Sequence, residues 1–261
     1  MKLDRHLSQG KLLYFSRHYD AISISENSHF RWLAFNDVVQ SVMHQRKPHT
    51  LTLPHQLILL LPLLLYRPKK IVELGLGGGN LSRFLSALSC EIELTSVEYN
   101  PEVITCFSEY FNPCGTHFTI IGAEGLAWLN VQPADDIDWL ICDVYRSDES
   151  GFQGIVKQLE VLTEKLHSQS CLSINLPDVS DNEINLCLTL LLQLQVSHNI
   201  RYFHVPNYLN IVIHLYPKHW PLHRILSRGV QRNNNYLSPR VFNRWCKFWP
   251  HGQSIQRVKS D

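Results

Sequence analysis

Glu73-Leu74-Gly75-Leu76-Gly77-Gly78-Gly79-Asn80 follows an apolar run and precedes an amphipathic one. A glycine turn between a strand and a helix lets the backbone approach a ligand closely and take up positive φ. Gly75, Gly77, Gly78 and Gly79 are therefore the first candidate contacts, with Glu73 and Asn80 at the two ends of the turn. Glu98 closes the next apolar run, 23 residues after Gly75, where a carboxylate can accept hydrogen bonds from both hydroxyls of a ribose. A dinucleotide site would call for a further glycine where Asn80 stands, so that the helix could pack closely on the strand and present its N-terminus to a pyrophosphate. An acid placed before the glycines suits a ligand carrying positive charge, because a sulfonium and an amine are both drawn to carboxylate. The ligand expected is an adenosyl sulfonium nucleoside. Glu124, followed by Gly125 at the end of a third apolar run, adds a carboxylate that could accept the adenine amino group, or could simply stabilise a helix N-terminus. Asp143 ends a fourth run.

These residues must be carried to one rim by a repeating scaffold. Strands are predicted at 71–74, 93–98, 118–121, 139–143 and 171–175, and helices at 81–88, 101–111, 126–129, 152–167 and 183–194. Such alternation calls for a parallel sheet with crossover helices, whose strand ends form the ligand crevice. Runs at 200–205 and 209–215 can pair as an antiparallel hairpin at the sheet edge. The fold class expected is α/β: a Rossmann-like fold with a mostly parallel seven-stranded sheet, preceded by a small antiparallel β element around residues 14–35. The expected division is a β-rich domain over 1–50, a nucleoside-binding catalytic domain over 51–217 and a basic appendage over 218–261. That last segment holds Trp220, Trp245 and Trp249 and is expected to be helical.

A chain of 261 residues, 44% hydrophobic, can bury one sizeable core. A formal charge of +1 gives no overall field to gather nucleic acid or an anionic membrane surface, so neither is an expected partner. The fourteen His show no metal-ligand spacing, and the seven Cys are never closer than eight positions, which offers no CxxC pair. No metal is expected, and the thiol usage suits a reduced, cytoplasmic protein. Residues 1–10 have no apolar core of a signal peptide, and the apolar run 57–66, interrupted by Pro62, is too short to span a bilayer.

Six segments, in order, resemble the spermidine synthases and their relatives, aminopropyltransferases on a methyltransferase-type fold. They are Asn36-Asp37-Val38-Val39-Gln40-Ser41; Pro54-His55-Gln56, where that family usually has Tyr-His-Glu; the 75–80 turn; Val97-Glu98-Tyr99-Asn100-Pro101; Glu124-Gly125-Leu126-Ala127-Trp128; and Asp138-Trp139-Leu140-Ile141-Cys142-Asp143. The resemblance implies that Gln40 and His55 touch the donor, Glu98 the ribose and Glu124 the adenine. It also implies that Asp143 opens an Asp-x-x-Asp motif that orients and deprotonates an attacking amine. Asp143, Tyr145 and His55 are thus the catalytic candidates. Asp143 also joins the donor-binding set of Gln40, His55, Glu73, Gly75, Gly77, Gly78, Gly79, Asn80, Glu98, Glu124 and Gly125. The donor implied is S-adenosylmethionine or its decarboxylated form, the partner a small-molecule amine or other acceptor, and the assembly a homodimer.

The departures are specific. The family's Gly-Gly-Gly-Asp ends here in Asn80, and its Asp-x-x-Asp reads Asp143-Val144-Tyr145-Arg146. A cation at 146 would repel a polyamine, although Asp148 and Glu149 lie just beyond. Three functions are open at this point: aminopropyl transfer to a di- or polyamine, methyl transfer from S-adenosylmethionine, and nucleoside binding without catalysis.

Overall fold

The computed structural model describes residues 7, 9–17, 21–133, 136–144, 151–194, 197–220 and 236–255. It begins with a four-stranded antiparallel sheet in sequential order: β1 (Lys11–Ser16), β2 (Ile22–Glu26), β3 (Phe30–Phe35) and β4 (Val38–His44). The β-rich start extends further than the alternation at 14–35 predicts. Asn36 turns the chain between β3 and β4 with φ +51°, a backbone state that asparagine tolerates better than most residues. β4 contains part of the segment that sequence similarity marks as a ligand contact.

A short helix α1 (Pro54–Leu59) follows, then a 3₁₀ turn (Leu61–Leu64), where one helix over the whole apolar stretch would be the simpler reading. Pro62 is the reason: it has no N–H to donate to the Ile58 carbonyl. That carbonyl is instead 3.0 Å from Nε2 of His214.

The main sheet then assembles from β5 (Lys70–Leu74), α2 (Asn80–Leu88), β6 (Glu93–Glu98), α3 (Pro101–Cys106), β7 (Thr119–Gly122), α4 (Gly125–Asn130), β8 (Trp139–Cys142), α5 (Gly151–Glu164), β9 (Cys171–Leu176), α6 (Asp181–Leu194), β10 (His198–His204) and β11 (Ile211–Pro217). After α3 the chain widens into a π-helical turn over Phe107–Phe111. α7 (Pro239–Trp245) and β12 (Gln253–Ile255) complete the described chain. The strand order is β12-β10-β11-β9-β8-β5-β6-β7; β5 to β9 run parallel, and β10 and β11 form the antiparallel hairpin.

Seven of these strands match the expected sheet. The eighth, β12, is three residues of largely polar sequence, too short for an alternation signal, and pairs with the outer side of β10. The segment expected to be wholly helical thus supplies a strand as well. Its tryptophans are core residues: Trp220 stacks on Tyr66, Trp245 on Phe84, and Trp249 meets Phe203 edge-on. Each large ring adds apolar area to one face of the sheet.

β8 and β9 are buried at every position, as strands covered by helices on both faces must be. A polar chain crosses this interior. Trp139 Nε1–H donates to Ser173 Oγ at 3.0 Å, and Ser173 meets His214 Nδ1 at 2.8 Å. The Ile58 carbonyl can only accept, so Nε2 of His214 carries the proton and Nδ1 accepts from Ser173. The ring is fully buried, and burial pushes its pKa down to about 3. This neutral imidazole ties α1 to the centre of the sheet.

Candidate functional site

A cleft of about 340 Å³ opens at the C-terminal ends of β5, β6 and β8, with β4 and α1 forming the opposite wall. This rim is where open parallel sheets place their ligands. The floor is the first part of the glycine turn, Gly75 to Gly77, while Gly78 and Gly79 of the expected donor set are buried behind it. Gly75 has φ +93°, and a Cβ there would lie 2.5 Å from the carbonyl oxygen of Asp143. A Cβ on Gly78 would lie 2.7 Å from Cβ of Ser41, and Gly79, with φ +66°, caps α2 in a left-handed conformation. A Cβ on these glycines would press on the Asp143 carbonyl, on Ser41 of β4 or, at Gly79, on Phe107 of the π-helical turn.

Glu98 lies along the turn and is nearly buried. Its Oε2 accepts from the N–H groups of Leu76 at 3.1 Å and Gly77 at 3.4 Å, and its Oε1 from Asn100 at 3.0 Å. Burial pushes its pKa up, and these backbone donors only partly offset the rise. Glu124 is exposed and caps α4, accepting from Leu126 N–H at 3.2 Å and Ala127 N–H at 2.6 Å. Gly125 packs beside Leu74. Gln40 is half-buried on the β4 wall, its amide 3.4 Å from the Val38 carbonyl. All of these residues line the cleft.

Two residues of the expected donor set have their side chains committed inside the protein. Asn80 is 3% exposed; its Nδ2 donates to Val42 O at 2.6 Å and Thr52 Oγ1 at 2.9 Å, and lies 3.4 Å from Gln56 Oε1. Its Oδ1 accepts from Arg83 at 2.8 Å. Arg83 is fully buried, and its other contacts are the carbonyls of Pro48, Gly78 and Phe111. Gln56 Oε1 also accepts from Thr52 N–H and Leu53 N–H, each at 3.1 Å. Asn80 and Gln56 therefore touch each other and lock β4, α1 and α2 together. Glu73 is 1% exposed, and its Oε2 accepts from the hydroxyls of Ser82 and Ser96.

The side of the cleft at the end of β8 is different in kind. Asp143 Oδ2 lies 3.5 Å from His55 Nε2, and the two side chains keep 21% and 13% of their surface exposed. Asp143 Oδ1 accepts from Asn175 Nδ2 at 2.8 Å, and Asn175 Oδ1 from Asn210 Nδ2 at 3.1 Å. Burial pushes the Asp143 pKa up, but His55 and the Asn175 amide outweigh it, so the carboxyl sits below its ordinary value. Tyr145, with Arg146, Asp148 and Glu149, lies outside the described residues.

Ser41, Asn175 and Asn210 also shape the cleft and were not among the candidates; Ser41 Oγ accepts from Gly78 N–H at 2.8 Å. Asn175 is the penultimate residue of β9, so the strand-end rule that marked Glu98 and Asp143 extends to it. Ser41 carries no such signal. Among the described residues no group of three or more His, Cys, Asp or Glu is placed to hold a metal ion, and no helix is long and apolar enough to cross a membrane.

No family model matches the chain. It is 32% identical over 118 residues to a polyamine aminopropyltransferase of Neisseria meningitidis, a match covering 43% of this chain and 45% of that protein. The matched region is thus less than half the length of that relative. Among solved structures, a probable spermidine synthase from Corynebacterium glutamicum superposes with a TM-score of 0.65 at 17% identity, covering 80% of each chain. A spermidine synthase in complex with the transition-state analogue AdoDATO superposes with 0.63 at 15% identity, covering 91% of this chain and 88% of that one. Human methyltransferase-like protein 13 in complex with SAH gives 0.58 at 15% identity, covering 80% and 97%. The chain thus has the fold shared by spermidine synthases and methyltransferases, and in sequence it is similar to the polyamine aminopropyltransferases.

Proposed function

We propose that the protein is an aminopropyltransferase that takes a decarboxylated adenosyl sulfonium as donor and a di- or polyamine as acceptor. The observation that carries this reading is the partly exposed Asp143–His55 pair beside the start of the glycine turn, inside the same cleft. In this reading the 75–79 turn takes the nucleoside, Glu98 exchanges backbone N–H partners for ribose hydroxyls, and Gln40 closes over it from β4. The adenine amino group would compete with the α4 N–H groups for Glu124.

The chemistry asks little of the protein beyond placement and charge. A sulfonium is already a good leaving group, whereas an ammonium has no lone pair with which to attack. Asp143, held as a carboxylate, orients the amine. As the new N–C bond forms, the C–S bond breaks, its electron pair passes to sulfur to give a neutral thioether, and the proton lost by nitrogen goes to the Asp143–His55 pair.

Methyl transfer from S-adenosylmethionine is the second reading. It is favoured by the neutral Asn80–Gln56 contact, which leaves this wall without the acids expected to receive a second ammonium. A donor that keeps its carboxylate would find less repulsion there. Cytoplasmic location and homodimer formation are part of the same proposal and rest on the family resemblance.

The test is a mass-spectrometric assay of purified protein given both donors, each with putrescine and with spermidine. An added aminopropyl mass from the decarboxylated donor is the expected result. An added methyl mass would establish the second reading, and no product from either donor would remove both.

A further inference from the structure

Of the acidic side chains that line the cleft, Glu73, Glu98 and Asp143 lie at or beside the C-terminal ends of three neighbouring strands, and their partners differ in what they permit. Glu98 is held by three backbone N–H groups, which can only donate and so favour the anion. Asp143 faces His55 and an amide N–H, which do the same. Glu73 is held through one oxygen by two hydroxyls, Ser82 and Ser96, which lie 2.7 Å from each other with either able to be the donor. Hydroxyls rotate, donating to a carboxylate or accepting from a carboxylic acid. Glu73 is thus the member of the set whose surroundings accept either charge state.

We propose that Glu73 is a specificity-determining residue whose charge follows the ligand: protonated in part beside a neutral thioether, ionised beside a sulfonium. This rests on the function proposed above and extends it, since the donor is the cation and the thioether left after transfer is neutral.

The charges around Glu73 favour such a response. Burial on the central strand opposes its ionisation, and the carboxylates of Asp143 from β8 and Glu98 from β6 add to that opposition, raising its pKa to about 7. Against them stands Arg83 on α2, whose charge is drawn to Glu73. No ion pair reaches Glu73 among the described residues. A sulfonium in the cleft supplies the missing positive charge and drives the proton off. After transfer that charge is gone, the carboxyl takes up a proton again, and the attraction holding the ligand is lost.

Isothermal titration calorimetry at pH 7 in phosphate and in Tris measures the proton directly, because the two buffers differ in ionisation enthalpy. With S-adenosylmethionine or its decarboxylated form, the apparent binding enthalpy should differ between buffers by an amount equivalent to about half a proton released per ligand. The release should vanish by pH 9, where Glu73 is already ionised. 5′-Methylthioadenosine, a neutral thioether, should bind without it. Glu73→Gln keeps an oxygen for the two serine hydroxyls; it should abolish the release and lower the sulfonium-over-thioether affinity ratio about tenfold, the effect of one charge contact. Sulfonium binding with equal enthalpies in both buffers, or release unchanged in the variant, overturns the role of Glu73 and leaves the function standing. Failure of the wild-type protein to bind either sulfonium overturns both.

Discussion

The two ends of the cleft treat their polar groups in opposite ways. Beside α2, Asn80, Gln56 and Arg83 are buried, and their hydrogen bonds go to one another and to the backbone, so that end is a lock between β4, α1 and α2. At the end of β8, Asp143 and His55 stay partly exposed, supported from behind by Asn175 and Asn210. A group whose capacity is taken up by the protein can shape a ligand site but has little left for bonding a ligand. A supported group with exposed surface can do both. In the proposed reading, reactivity therefore lies at β8 and shape beside α2, although both regions consist of the same kinds of residue.

The largest expected effect concerns what holds α1 across the two ends. The folded state keeps His214 neutral, its pKa about 3 against 6.5 in an unconstrained chain. Between these values the unfolded chain binds a proton that the folded chain does not. The stability due to neutral burial is therefore complete above about pH 6.5 and lost as pH falls towards 3. Denaturant titrations at pH 7, 5 and 4 should show a fall of several kcal/mol, and His214→Gln, which retains an N–H for the Ile58 carbonyl but does not titrate, should flatten it. Equal pH slopes in the two proteins would show that this imidazole is not what acid attacks.

Next comes Asp143→Asn. Removing the charge that orients the amine should lower turnover by about two orders of magnitude or more. Thermal unfolding should stay close to wild type, because an amide can still accept from Asn175. Unchanged turnover would move the transfer chemistry away from β8. The lock should respond the other way round. Asn80→Ala takes one of its donors from the Val42 carbonyl and leaves one arm of Arg83 without its acceptor, and should cost about 2 kcal/mol of unfolding free energy. A neutral result in urea titration would mean that the lock is dispensable. Smallest is Glu124→Ala, which removes the α4 cap for about 1 kcal/mol. Its donor affinity, measured beside its stability, separates a cap from an adenine contact.

Much of the scaffold was legible from local pattern. The fully buried β8 and β9, the glycine turn and the acids ending β6 and β8 follow from rules that act over a few residues. Less legible was the direction each polar side chain takes. Glu73 precedes the turn as a ligand-facing acid would, yet its partners are Ser82, nine residues on, and Ser96, on the next strand. Asn80 turns inward because Val42, Thr52 and Arg83 converge on it from three elements. Tertiary partners decide these orientations, and spacing along the chain does not encode them. β12 escaped for another reason: three residues, two of them polar, acquire strand geometry by pairing with the edge of β10.

A crystal structure of the protein with the decarboxylated donor would test the two-ended cleft most directly. The account predicts the ribose hydroxyls on Glu98 and the reactive propyl carbon pointing to Asp143 and His55, with Asn80 still bonded to Val42 and Arg83. A donor bound with its propylamine buried against Asn80 and its sulfonium turned away from Asp143 would contradict it.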